Sequence, residues 1–205
     1  MVKSEIRKQI KELINLNINS LQDQSRAVCD NILKSSCFIE ADEIFAYMAL
    51  EDEVNLQTVI LTALKEGKKL ALPKIISQKD GIIQFFYLDS SKKLEEQIQN
   101  GTYNIPEPDE NLPATLDPTK KTLILVPGRA FTKEGDRLGR GKGYYDRFLG
   151  NELLRCADPE PVEGRNDDNA FTRNNIVLAG VCFDFQIKKS LPTNDRDIKM
   201  DIVFS

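Results

Sequence analysis

Residues 122–149 read Thr122-Leu123-Ile124-Leu125-Val126-Pro127-Gly128-Arg129-Ala130-Phe131-Thr132-Lys133-Glu134-Gly135-Asp136-Arg137-Leu138-Gly139-Arg140-Gly141-Lys142-Gly143-Tyr144-Tyr145-Asp146-Arg147-Phe148-Leu149. The opening run is short and apolar, as in a strand covered on both faces. Proline and glycine end it. A loop rich in glycine and charge follows, and residues 144–149 can form a helix whose N-terminus points back at that loop. Strand, loop and helix form the unit from which parallel sheets with helices on both faces are built.

Working outward, the same alternation recurs. Ile6, Ile10, Leu13 and Ile14 recur at helical spacing. Ser20 with Asp23 marks a second helix start, striped by Ala27, Val28, Ile32 and Leu33. Residues 44–48 form a short apolar strand. Asn55 then caps a helix through Leu56, Val59, Ile60, Ala63 and Leu64, which Gly67 stops. Residues 70–72 make a strand ended by Pro73, and residues 82–88 another. Residues 104–118 hold four prolines and read as an extended loop. Strands at 176–183 and 202–204 complete the set. The expected fold is α/β, a three-layer αβα arrangement with a mostly parallel central sheet, which binds ligands at the carboxyl ends of its strands. The whole of 1–205 reads as one domain, with a charged, turn-rich surface insertion at about 155–169.

Composition narrows the chemistry. The chain has no histidine, which removes Ser-His-Asp and Cys-His nucleophilic schemes and imidazole base catalysis. Its formal charge of −4 argues against bulk binding of nucleic acid or anionic membranes. Cys29, Cys37, Cys156 and Cys182 form no Cys-x-x-Cys pair, so they read as buried thiols of a reducing compartment. The N-terminus is too charged for a signal peptide, and no apolar run approaches the roughly 20 residues of a membrane span. A cytoplasmic monomer acting on small molecules, with neither nucleic-acid nor membrane partners, is expected.

The loop carries the chemistry. Gly139, Gly141 and Gly143 permit close backbone approach to a ligand, and Arg140 and Lys142 stand between them. Two cations, loop amides and a helix N-terminus suit a polyphosphate. Named phosphate motifs do not fit. A Walker A loop would need glycine where Asp136 stands and Ser or Thr where Gly143 stands, and Gly-x-Gly-x-Gly is not the Rossmann spacing. Magnesium would then need carboxylates, of which Asp146 is nearest. A mobile basic surface loop, as in RNA-binding modules, is the competing reading. An α/β enzyme of sugar phosphates is a third.

Residues 137–149 closely resemble the signature of the 5-formyltetrahydrofolate cyclo-ligase family: a strand running into Pro-Gly-x-Ala-Phe, then Arg-Leu-Gly-Arg-Gly-Lys-Gly-Tyr-Tyr-Asp, every position of which is present. Lys3 and Arg7 fall on the family's N-terminal basic pair. Glu51-Asp52-Glu53-Val54, Leu72-Pro73-Lys74, Ile105-Pro106-Glu107-Pro108 and Asp197-Ile198-Lys199-Met200-Asp201 resemble its other elements. Arg129 stands where a smaller or apolar residue is usual, and Arg196 where histidine often precedes Asp197.

The resemblance implies ATP- and magnesium-dependent closure of 5-formyltetrahydrofolate to 5,10-methenyltetrahydrofolate, with ADP and phosphate released. It implies Arg140 and Lys142 as catalytic cations. ATP would meet Lys3, Arg7, Arg137, Leu138, Gly139, Arg140, Gly141, Lys142, Gly143, Tyr144 and Tyr145. The folate would meet Met48, Glu53, Arg140, Gly141, Lys142, Gly143 and Tyr144. Asp146 and Asp197 would hold magnesium. Plainer roles compete at several positions. Glu53 can be a surface acid in a turn, Lys3 and Arg7 a solvated helix face, and Met48 a pocket wall. One of Tyr144 and Tyr145 can pack beneath the loop while the other lines the pocket, and Asp201 reads as structural.

Overall fold

A computed structural model describes residues 2–110, 112–157, 175–194 and 197–205. Its elements in chain order are α1 (Lys3–Leu16), α2 (Leu21–Lys34), α3 (Ser36–Ile39), β1 (Glu43–Phe45), α4 (Gln57–Lys65), β2 (Lys69–Ser77), β3 (Ile82–Tyr87), β4 (Ile98–Asn100), β5 (Pro106–Pro108), β6 (Pro113–Ala114), β7 (Thr122–Pro127), β8 (Ala130–Phe131), β9 (Arg137–Leu138), α5 (Tyr144–Ala157), β10 (Ile176–Val181) and β11 (Ile202–Phe204). Seven strands form one sheet in the order β11-β10-β7-β1-β2-β3-β6. The first five in that order run parallel, β3 runs opposite to them, and β6, antiparallel to β3, shares their direction again. This is the expected α/β sheet. Among the described residues no helix is long and apolar enough to cross a membrane.

Side chains of a strand alternate between faces, and here the alternation builds two cores. Ile44, Leu123, Leu125, Ala179 and Val181 pack with Ile6 and Ile10 of α1, Val28 and Ile32 of α2, and Val59 and Ile60 of α4. Phe45, Ile124, Val126, Ile176 and Leu178 pack on the other face with Phe148 and Leu149 of α5. There the Phe85 ring lies 5.1 Å from Phe45 and 4.7 Å from Phe148. Each such ring taken from water stabilises the fold by about 1.5–3 kcal/mol.

Several boundaries differ from the sequence expectation. β1 ends at Phe45, and Tyr47 and Met48 belong to the loop beyond it. β2 does not stop at Pro73. It outruns β1 there and pairs only with β3, Pro73 opposite Phe85, so the missing N–H of proline leaves no second neighbour unsatisfied. The proline-rich 104–118 segment holds β5, paired with β4, and β6, which covers the edge of β3. Edge positions tolerate proline because one side of the strand needs no donor. The Asn55 carboxamide accepts from the Gln57 N–H at 2.9 Å, so α4 begins a residue later than Leu56. Its end is as expected: Gly67, at φ 71°, donates to the Leu64 carbonyl. Of the segment at 155–169, residues 155–157 continue α5, and the rest lies outside the described residues.

Candidate active site

Parallel β1, β2 and β7 are in register, with Phe45 beside Ala71 and Ile124. Their continuations therefore emerge together, and a cavity of about 400 Å³ opens where they do. Tyr47, Met48 and Leu50 follow β1, Pro73 and Ile75 come from late β2, and Pro127 ends β7 with Gly128 just beyond it. Tyr103, Ile105 and Glu107 close another side, and Arg137, Gly139, Arg140, Lys142, Gly143, Tyr144, Tyr145 and Asp146 complete the wall. The cavity thus joins an apolar, aromatic chamber to the glycine loop.

The loop is built as its residues dictate. β8 and β9 form a hairpin whose turn puts Gly135 at φ 94°. A Cβ there would come 2.0 Å from the Met200 carbonyl oxygen, so only glycine fits. Gly141 at φ 105° and Gly143 at φ 70° flank Lys142, a backbone that L side chains rarely adopt. Lys142 is exposed, and its ammonium pairs with no group among the described residues. Arg147 braces the loop from below, donating to the Gly81 carbonyl at 3.0 Å and to that of Lys142. α5 begins at Tyr144, so its first N–H groups, which have no intrahelical acceptor, face the loop.

The other cations are held. Arg137 is buried, donating to the Pro127 carbonyl at 3.1 Å and to Asp146 Oδ1 at 2.6 Å. Its guanidinium lies over the Tyr145 ring at 5.9 Å. Arg140 donates through Nε to Glu53 Oε1 at 2.8 Å and through both terminal nitrogens to Asp52. Burial pulls the Arg140 pKa down, but Glu53 and Asp52 outweigh it and hold it above its ordinary value. Burial likewise raises the Asp52 carboxyl, yet Arg140 and Arg129 bring it below the usual carboxylate range. Glu53 is 9% exposed in its side chain and also accepts from the Leu50 N–H at 3.1 Å.

Helix α1 reaches the loop from outside the cavity. Arg7 Nε donates to the Gly139 carbonyl at 2.9 Å, and Lys3 Nζ meets Asp197 Oδ2 at 2.6 Å. Asp201 has a structural part. It accepts from the Leu178 N–H at 2.8 Å and ties β11 to β10. Tyr144 and Tyr145 both border the cavity rather than dividing the two roles. Burial pushes the Tyr144 phenol up to about 12, with the nearby Tyr103 hydroxyl adding to the rise.

The structure therefore gathers Met48, Glu53, Arg137, Gly139, Arg140, Lys142, Gly143, Tyr144, Tyr145 and Asp146 around one cavity. Lys3, Arg7, Leu138, Gly141 and Asp197 do not border it. Leu138 is buried, its carbonyl accepting from the Arg129 N–H at 2.7 Å. Asp146 and Asp197 each face a different cation, and no three acidic or cysteine side chains converge on a metal position among the described residues. Sequence reading passed over Tyr47, Asp52, Tyr103 and Arg129 as site residues. The resemblance set the Ile105–Pro108 loop by the folate without naming Glu107 as a site residue; Glu107 is buried and lines the cavity, accepting from the Ile75 N–H at 3.3 Å. The available signal for Glu107 was an acid between two prolines, and for Asp52 its adjacency to Glu53.

The sequence model of the 5-formyltetrahydrofolate cyclo-ligase family matches residues 1–205. A probable 5-formyltetrahydrofolate cyclo-ligase of Schizosaccharomyces pombe is 27% identical, covering 94% of this chain and 91% of the relative. The 5-formyltetrahydrofolate cyclo-ligase of Mus musculus is 26% identical, covering 98% and 92%. Among solved structures, the 5,10-methenyltetrahydrofolate synthetase of Aquifex aeolicus is 30% identical, with a TM-score of 0.73 over 100% of this chain and 89% of that one. The Mycoplasma pneumoniae 5,10-methenyltetrahydrofolate synthetase, 20% identical, shares the fold with a TM-score of 0.61 over 100% and 98%.

Proposed function

Because this chain belongs to the 5-formyltetrahydrofolate cyclo-ligase family and is a ligase, we propose that it closes 5-formyltetrahydrofolate to 5,10-methenyltetrahydrofolate, cleaving ATP to ADP and phosphate. One observation supports this most. A single cavity joins the ammonium of Lys142, on a glycine loop and unpaired among the described residues, to an aromatic chamber holding the carboxylates of Glu53, 9% exposed, and Glu107, buried. Polyphosphate suits the first part, and a flat heterocycle with polar edges suits the second.

The chemistry needs both parts. A formamide is a poor electrophile because its nitrogen donates into the carbonyl. Transfer of the γ-phosphoryl group to the formyl oxygen turns that oxygen into a leaving group. N10 of the folate then bonds to the formyl carbon and loses its proton, and the carbon–oxygen bond breaks as phosphate departs. In phosphoryl transfer the protein chiefly positions reactants and neutralises charge. Lys142 and Arg140 serve the transferring group. Gly139, Gly141 and Gly143 let backbone approach it. Tyr144, Tyr145 and Met48 wall the heterocycle, and Glu53 accepts from its polar edge.

Magnesium, when bound, supplies further neutralisation between the phosphates. An ion held mainly by phosphate oxygens and water needs only one or two carboxylates. Asp146, on the cavity wall, would supply one such carboxylate; Asp197, paired with Lys3 and off that wall, would have to leave Lys3 to supply the second. Lys3 and Arg7 steady the loop from its outer side. The deciding experiment incubates the purified chain with 5-formyltetrahydrofolate and Mg-ATP. Methenyl-folate appears as a new near-ultraviolet chromophore, and its absence from folded protein would overturn the proposal.

A further inference from the structure

Asp52 sits between two arginines. Its Oδ2 lies 2.6 Å from an Nη of Arg129, and both its oxygens face the guanidinium of Arg140. The two arginines differ in how they are fixed. The Arg129 N–H donates to the Leu138 carbonyl at 2.7 Å, and its carbonyl accepts from Gln186 Nε2 at 2.9 Å. Its side chain is only 14% exposed, and it does not border the cavity. Arg140 borders the cavity, is 33% exposed, and among the described residues its guanidinium is held only by the carboxylates of Asp52 and Glu53.

To meet an anionic group in the cavity, the Arg140 guanidinium must leave these acids. Glu53 would keep the Leu50 N–H at 3.1 Å. Asp52, without a second cation, would stand as a half-buried carboxylate beside the incoming anion and oppose it. We infer that Arg129 is the standing counter-ion of Asp52, a positioning residue that lets Arg140 exchange its two acids for the anionic group in the cavity. The inference rests on the proposed function in taking that group to be a polyphosphate.

The test compares wild type with Arg129→Gln, Arg129→Lys, Asp52→Asn and the Arg129→Gln/Asp52→Asn pair, measuring kcat, both KM values and melting temperature. Arg129→Gln is expected to raise the KM for Mg-ATP about tenfold while kcat moves less than about threefold and the folate KM stays put. Arg129→Lys recovers most of the loss. In the double variant the defect disappears, because no carboxylate remains to neutralise. A nucleotide KM unmoved by Arg129→Gln overturns the inference. So does a loss shared equally by both substrates, or one that Asp52→Asn does not relieve. A wild-type chain that makes no methenyl product overturns the proposed function and this inference with it, whereas a competent wild type with the wrong variant pattern overturns the inference alone.

Discussion

The Nε of Arg7 donates to the carbonyl oxygen of Gly139 at 2.9 Å, so the first helix of the chain grips the first glycine of the loop. The Arg7 guanidinium also approaches Gly141, where a Cβ would sit 3.5 Å from its central carbon. A hydrogen bond to a charged donor contributes about 1.5–3 kcal/mol. Arg7→Gln is expected to raise the nucleotide KM by about tenfold, with the melting temperature lowered by several degrees. Steady-state kinetics with ATP varied checks this, and an unaltered KM would mean that the loop holds its shape unaided.

Lys142 pairs with no group among the described residues and lies between glycines of positive φ. Its charge therefore contributes little to folding. Lys142→Ala should leave thermal unfolding as it is and lower turnover by about two to three decades. Calorimetry should find nucleotide binding weakened and formyl-folate binding kept. Full turnover in the alanine variant would remove Lys142 from the reaction.

Glu53 faces two ways, toward the cavity and toward Arg140. Glu53→Gln keeps an acceptor for the Leu50 N–H but loses the charge. Formyl-folate affinity is expected to fall about tenfold or more, with nucleotide affinity held. If calorimetry finds the larger loss for nucleotide, Glu53 acts only by holding Arg140.

Asp146 carries Arg137 at 2.6 Å as well as its proposed role toward magnesium. Asp146→Asn should raise the magnesium concentration needed for half-maximal turnover, with a shift of only a few degrees in melting temperature. An unchanged magnesium titration would confine Asp146 to orienting Arg137.

The lowered pKa of Asp52 fixes the sign of an acid effect. A carboxyl whose folded pKa lies below its unfolded value stabilises the protein above the ordinary carboxylate pKa. That contribution disappears as pH falls through the folded pKa. Wild type should therefore melt above Asp52→Asn at pH 7, and the gap should close under acid conditions below about pH 4. A constant gap across the titration would assign the difference to shape rather than charge.

The central sheet was legible because β7 is short, apolar and buried on both faces, and its neighbours repeat that pattern. Helices α1, α2 and α4 showed as stripes for the same reason: one face of each is buried. Strands β5 and β6 were hidden by their prolines, and the extension of β2 by Pro73, because propensity does not reveal which side of a strand lacks a neighbour. The glycine loop stood out by residue type and spacing. The Asp52–Arg129 pair did not, since its partners lie far apart in sequence and neither carries a local pattern. The expected pairing of Asp146 with Asp197 rested on resemblance, and the structure gives each its own cation.

The Lys3–Asp197 ion pair joins residues 194 positions apart. During synthesis from the N-terminus, α1 emerges first and must wait for nearly every other element before its anion and its glycine loop exist. The sheet can collapse on local contacts much earlier, since closing the longest loop is left to the end. The tie from α1 to Asp197 thus forms late, together with the addition of β11 to the sheet. A nascent chain that stops short of Asp197 would hold a nearly complete core around an unfinished site.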